Sequence, residues 1–316
     1  MSSASLSTKG EDMLQEVFYW LFNMSITASV TGLLVLAVRT VKIIPKRVSV
    51  LLWAIPFLRM VIPFGLNSSY SLMTLLSKLT TKTVVVYQPT EDIAFSVSNS
   101  ILAADTYFPI TYKVNILENV FNIASVVWII VCLAIILMMS VVYITTLCEM
   151  RSAIQLRDNI YLSEKIITPA VYGIIKPKII LPVAYKERNI EYVVLHEQMH
   201  IRRLDNLKRV LAFMIVAVHW FSPLCWIFLK TLLADIELSC DERVLSKLGA
   251  DRKKDYARAL LESGYGVTVF ASAFGGARIR TRIENILSFK KMTWLSLVLF
   301  TVLVVMIFYV LLTNAG

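Results

Sequence analysis

Four stretches of the chain are almost continuously apolar: residues 17–38, 48–66, 123–147 and 294–312. Each approaches the ~20 residues a helix needs to cross about 30 Å of hydrocarbon. The pattern predicts four membrane-spanning helices, the second carrying one charge, Arg59. A charge inside a span is costly, so Arg59 reads either as a functional group or as one that pairs in the bundle or snorkels to its edge. Residues 67–120 form a Ser- and Thr-rich loop between spans two and three, with short β-prone pieces and no evident chemistry.

Between spans three and four the pattern changes. Residues 160–181 are β-branched runs punctuated by Pro and Gly, which predicts short edge strands. A helix is expected from about Asn189, becoming wholly apolar over 210–218 until His219-Trp220-Phe221-Ser222-Pro223 breaks it. Further helices are expected over 224–248 and 253–261, then a small-residue stretch over 263–277 and a basic amphipathic helix over 278–289. The apolar pieces 210–218 and 224–233 are too short to span and are expected to dip into the membrane or pack on the bundle. The fold class is mainly α with a small β element. Its divisions are 1–66 (two spans and a short link), 67–120 (outer loop), 121–148 (third span), 149–262 (polar domain), 263–293 (linker and basic helix) and 294–316 (last span).

Composition agrees with a membrane protein. With 57% hydrophobic and 17% charged residues and a mean hydropathy of +0.67, the chain is not disordered, collagen-like or a disulfide scaffold, and fits an ordinary soluble domain poorly. The net charge of +10 first raises nucleic acid as a partner. Its distribution reduces that reading to a minor alternative. Residues 149–291 hold 23 of the 32 basic residues. The link between spans one and two holds Arg39, Lys42, Lys46 and Arg47 and no acid, whereas the outer loop sets Lys78, Lys82 and Lys113 against four acids. The positive-inside rule then puts the first link and the large segment in the cytoplasm and both termini outside. Glu11, Asp12 and Glu16 argue against a signal peptide. Cys132, Cys148, Cys225 and Cys240 avoid the outer loop and form no C-x-x-C pair, so no disulfide framework is expected.

Chemistry concentrates at His196-Glu197-Gln198-Met199-His200, an H-E-x-x-H. On a helix its two histidines differ by only about 40° in direction, so both can bind one Zn²⁺, with Glu197 beside them as general base. A catalytic zinc needs a third protein ligand. The next helix offers Asp235, Glu237, Asp241 and Glu242. Glu237 and Asp241 share a face at i and i+4. The simplest division makes Glu237 the ligand and Asp241 the acceptor of a ligating histidine's N–H. The alternative makes Asp241 or Glu242 the ligand, with Glu237 behind it. His219 reads as a structural histidine or as a substrate or oxyanion group, and Tyr172 is a second oxyanion candidate. Asp205 either bonds near Arg202 and Arg203 or supports the ligand helix.

These residues, with the run His200-Ile201-Arg202-Arg203-Leu204-Asp205-Asn206, the His219–Pro223 break, Glu237-Leu238-Ser239-Cys240-Asp241-Glu242 and the strand region 169–182, resemble the BlaR/MecR family of integral-membrane zinc metalloproteases. The resemblance covers nearly the whole chain. It implies a gluzincin-like cytoplasmic protease domain over 149–262 of a bacterial cell-membrane protein, with zinc held by His196, His200 and Glu237 and with Glu197 catalytic. It also implies self-cleavage in the loop 263–277, around Ala273 and Phe274, and loss of a cytoplasmic repressor as the output. Full-length sensors of that family carry an outer penicillin-binding domain after the last span. This chain ends at Gly316 with no S-x-x-K or K-T-G after that span, so direct β-lactam acylation is not expected.

The expected function is therefore regulated proteolysis at the cytoplasmic face. The substrate would be a protein, either the chain itself or a repressor, added as a strand to an edge near 174–181. The expected partners are that substrate, the bilayer and, in a homodimer, a second copy. Two other readings stay open: an HtpX-like or prenyl-protein-processing membrane protease, and a signalling scaffold with structural zinc.

Overall fold

The computed structural model describes residues 2–41, 44–62, 67–68, 115–185, 190–262, 278–289, 293–312 and 314–315. Most of the predicted loop 67–120 and the whole stretch 263–277, with Ala273 and Phe274, lie outside the described residues. Among the described residues, three helices are long and apolar enough to cross a membrane: α1 (Ser2–Arg39), α4 (Asn115–Glu149) and α10 (Trp294–Leu312). They match predicted spans one, three and four. α4 and α10 leave large apolar side chains outside, including Leu137 at 66% and Leu299 at 68% exposure, the surface expected to face lipid.

The predicted second span is not one long helix. It divides into α2 (Lys46–Leu52) and α3 (Ala54–Val61) around Trp53. Pro56 is the physical reason: it has no N–H for the Leu52 carbonyl, so the i−4 ladder is interrupted there. One face of the pair is buried, with Leu52, Trp53, Ile55 and Met60 almost fully enclosed, while Leu51, Leu58 and Val61 are exposed. Arg59 donates from Nε to the Leu311 carbonyl at 3.0 Å, at the end of α10. Asn67–Ser68 (β1) then pairs in parallel with Asn314–Ala315 (β6).

The second sheet has β2 (Ile154–Arg157), β3 (Ile160–Ser163), β4 (Ala170–Tyr172) and β5 (Lys178–Pro182), in the order β2-β3-β5-β4. β3 and β5 run parallel, and β4 and β5 antiparallel. The substrate edge expected near 174–181 is thereby corrected. β5 is paired on both sides, and its apolar residues Ile179, Ile180 and Leu181 are buried; the free edge on that side is β4.

The helix expected to run unbroken from Asn189 to Val218 is two helices, α5 (Glu191–Arg202) and α6 (Asp205–Val218). Leu204 turns the chain between them in the left-handed region, at φ 54°. The sheet and α5 share a core that includes Ile160, Leu162, Val193 and Val194. α7 (Pro223–Leu248) starts with Pro at its first position and stops at Gly249, φ 96°, as the chemistry of helix ends favours. α8 (Lys253–Glu262) and α9 (Ile279–Ser288) complete the domain, α9 lying before α10 in the chain.

α7 is the central strut. Asp235 and Glu242 are seven residues apart and point within about 20° of each other, roughly opposite Glu237 and Asp241. On the first face, Asp235 is fully buried and takes Arg39 Nε at 2.7 and 2.9 Å and Trp53 Nε1 at 2.9 Å. Glu242 accepts the backbone N–H groups of Lys46 and Arg47 at 3.0 and 3.4 Å, satisfying donors at the start of α2. The expectation that Glu242 could ligate metal is corrected by this commitment.

α1 crosses α7 closely at Gly32. A Cβ there would stand 2.2 Å from the ring of Phe228, which is fully buried. Gly32→Ala is expected to lower stability by about 1–3 kcal/mol through overpacking. The check is the midpoint of unfolding in mixed micelles titrated with SDS; an unchanged midpoint would mean the ring moves aside freely.

Candidate metal centre

α5 buries His196, Glu197 and His200 while Val193 and Val194 anchor it on the sheet. The two histidines turn their Nε2 atoms toward each other at 3.1 Å. Their other nitrogens are committed. His200 Nδ1–H donates to Asp205 Oδ2 at 2.8 Å. The kink at Leu204 makes this possible, because it bends the fully buried Asp205 back over the preceding turn. His196 Nδ1–H donates to the Tyr256 hydroxyl at 2.8 Å, which donates in turn to Asp241 Oδ1 at 2.7 Å. In its neutral form each histidine is thus held in the tautomer that leaves Nε2 as a ligand.

Glu237 faces this pair from α7. Its carboxylate oxygens lie 3.7 Å from His196 Nε2 and 3.6 Å from His200 Nε2. Arg209 holds Oε1 at 2.5 Å, and Arg282 Nη1 is 3.5 Å from Oε2. Burial pushes the Glu237 pKa up, but His200, His196, Arg282 and Arg209 outweigh it and hold the carboxyl well below the usual range. Burial alone would lower both histidines. The charges of Cys240 and Glu237, with Asp205 for His200, prevail, lifting His196 to about 9 and His200 well above its usual value. A field that favours protons here also favours a dication, and metal affinity is expected to fall as acid protonates the ligands.

The donor set fits zinc. Two imidazole nitrogens and a carboxylate converge on one point at separations compatible with bonds of about 2.0–2.2 Å to a common ion. Cys240 is the competitor. Its Sγ and one nitrogen of each histidine lie within 4.8 Å of one another. Its sulfur also lies 3.7 Å from the His196 carbonyl, and although burial raises its pKa, His196 and His200 outweigh this and pull it down to about 7. Glu237 is the other candidate third ligand, its carboxylate oxygens lying 3.6–3.7 Å from the two ring nitrogens.

Several sequence expectations are refined by this geometry. Asp241 reaches His196 chiefly through Tyr256, its own Oδ1 being 3.4 Å from Nδ1, because the phenol stands between them. Arg282 grips both oxygens of Asp241, from Nε at 2.9 Å and Nη2 at 2.8 Å. Neither Tyr256 nor Arg282 was anticipated, because sequence distance hides them; the buried apolar face of α8 and the basic run of α9 were the available signals. His219 is engaged elsewhere: Nδ1 meets Ser25 Oγ at 2.6 Å and Nε2 meets the Met60 carbonyl at 3.0 Å, which ties α6 to α1 and α3. This corrects its candidacy as a substrate or oxyanion group, since both nitrogens are taken. Tyr172, at the end of β4, stays close to the chemistry: burial and the charges of Glu197 and Glu149 raise its pKa. Asn206 Nδ2 donates to the Val171 and Gly173 carbonyls at 3.0 and 3.3 Å, holding the β4 edge beside the α5–α6 kink.

Tyr256→Phe removes the acceptor for His196 Nδ1–H. Zinc affinity is expected to drop about 10–100-fold, the usual effect of losing an outer partner. Competition with a chromophoric chelator measures it; an unchanged affinity would mean that Asp241 takes the N–H directly.

A helix carrying H-E-x-x-H, closed by an E-x-x-x-D helix and joined to apolar helices of membrane length, defines a metallopeptidase of the membrane. The family model for the BlaR1 peptidase M56 matches residues 19–286, and the chain belongs to that family. Among similar proteins, regulatory protein BlaR1 of Bacillus licheniformis is 29% identical over 135 residues, 39% of this chain and 22% of that protein. The methicillin resistance mecR1 protein of Staphylococcus aureus (strain Mu50 / ATCC 700699) is 31% identical over 104 residues, 32% of this chain and 18% of that protein. The matched segments are thus a minor part of those relatives' length.

Proposed function

We propose that this protein is a zinc endopeptidase acting at the cytoplasmic face of a bacterial membrane, in regulated proteolysis of the antibiotic-response type. The convergence of His196 Nε2, His200 Nε2 and the Glu237 carboxylate beside Glu197 carries this reading. His196, His200 and Glu237 would hold the zinc, which would supply Lewis acidity for a scissile carbonyl and for water activation. Glu197, only 3% exposed, takes the proton from the attacking water and delivers it to the leaving amine. Asp205 and the Tyr256–Asp241 pair keep the two imidazoles aimed. The β4 edge, held by Asn206, receives the substrate as an added strand, and Tyr172 lies on the Glu197 side of it.

Four crossings are proposed, with both termini outside. The pair α2–α3 serves as the second crossing, alongside α10. Its start is tied to α7 by Glu242, its end meets the end of α10 through Arg59, and β1 and β6 continue in parallel beyond both. The proposed substrates are the chain's own loop 263–277, around Ala273 and Phe274, and a cytoplasmic repressor. The names of the relatives, a regulatory protein and a methicillin resistance protein, support this class of role. Reconstituted in vesicles, the protein should release fragments with new termini in 263–277, stop on chelation and resume with zinc. Fragments that form equally well in chelator would overturn the assignment.

A further inference from the structure

Arg282 is 3% exposed, and its guanidinium lies in the middle of the ligand cluster. Nε and Nη2 fork Asp241, Nη1 is 3.5 Å from Glu237 Oε2, and Nη2 is 3.2 Å from His196 Nε2. The last contact matters most. An imidazole nitrogen has one lone pair, so His196 Nε2 cannot serve a metal and accept from Arg282 together. A dication drawn to the site must take His196 Nε2 from Arg282, and it adds a like charge beside the guanidinium at Glu237, while the fork to Asp241 can persist.

Arg282 belongs to α9, which follows residues 263–277 in the chain and precedes the membrane helix α10 by a few residues. Besides Arg282, α9 is seated by fully buried Ile286, by Asn285 Nδ2 on the Leu238 carbonyl at 3.4 Å, and by Lys253 Nζ on the Phe289 carbonyl. We propose that Arg282 is a positioning residue that competes with the metal for His196 and Glu237, so that metal loading loosens α9 on α7 and links the state of the metal centre to the segment joining it to the last membrane helix. This rests on the metal-centre reading above.

The competition has a sign that a supporting role does not. If Arg282 only braced Asp241, its loss would weaken zinc binding. If it competes, Arg282→Gln removes a positive charge beside a dication and should tighten zinc binding at least about tenfold. Arg282→Lys keeps the charge and should stay within about threefold of wild type. Both affinities are read by chelator competition on the full-length protein in nanodiscs. A second measurement leaves Arg282 in place: hydrogen exchange of α9 in Glu197→Ala protein, which keeps the chain intact, with and without zinc. Amides of α9 should exchange faster when zinc is bound. Weaker zinc binding by Arg282→Gln, or α9 protection that zinc leaves unchanged or increases, would overturn the proposal. Failure of every variant and of the wild type to bind zinc would instead sink the metal-centre reading beneath it.

Discussion

Glu197→Ala should stop peptide-bond cleavage while leaving zinc bound. The carboxylate follows His196 on α5 and is buried at the centre, yet the two imidazoles and Glu237 converge without it. A positioned acid–base group contributes typically about 10²–10⁴-fold. Cleavage should fall by about a thousandfold or more, so that fragments released by wild-type protein are absent from the variant on the same timescale. Zinc content, measured on the same preparation, should stay at the wild-type level. Cleavage at the wild-type rate would remove the hydrolytic role of Glu197. Zinc retained with no cleavage by either protein would favour the scaffold reading.

Glu237→Ala should cost more metal affinity than any outer partner, beyond the about 10–100-fold typical of those. It deletes the carboxylate that faces both Nε2 atoms and leaves Arg209 and Arg282 near the site without their shared anion. Glu242→Ala is the matched control. It removes an acid five residues along the same helix whose contacts run to Lys46 and Arg47 at the start of α2. Its cost should be about 1 kcal/mol of stability, as for a lost helix cap, with zinc affinity unchanged. If the two variants exchanged these phenotypes, the ligand assignment on α7 would be wrong.

Much of this arrangement is legible in the sequence. H-E-x-x-H carries its own geometry, because i and i+4 share a helix face. Glu237 and Asp241 repeat that spacing on the next helix. What the spacing does not contain is the third dimension. Tyr256 and Arg282 reach the ligands from α8 and α9, 60 and 86 residues from His196, and no local periodicity encodes those approaches. Asp205 lay close in sequence, but its role depends on the left-handed turn at Leu204, an unusual conformation for a leucine. Hydrophobicity likewise reveals the long helices, but not that the second apolar stretch divides into α2 and α3. Burial inside a bundle and exposure to lipid select the same apolar residues, and Pro56 marked the break that separates α2 from α3. Composition marks the strand region, but strand order is not encoded in it, so nothing local shows that β3 and β4 flank β5.

The central claim is one zinc held by His196, His200 and Glu237, with a position left for substrate or water. X-ray absorption at the zinc edge of full-length protein loaded with one equivalent tests it most directly. The account predicts only light-atom neighbours, nitrogen and oxygen at about 2.0–2.2 Å, with imidazole outer-shell scattering and no sulfur. A sulfur neighbour at about 2.3 Å would bring Cys240 into the ligand set and contradict it.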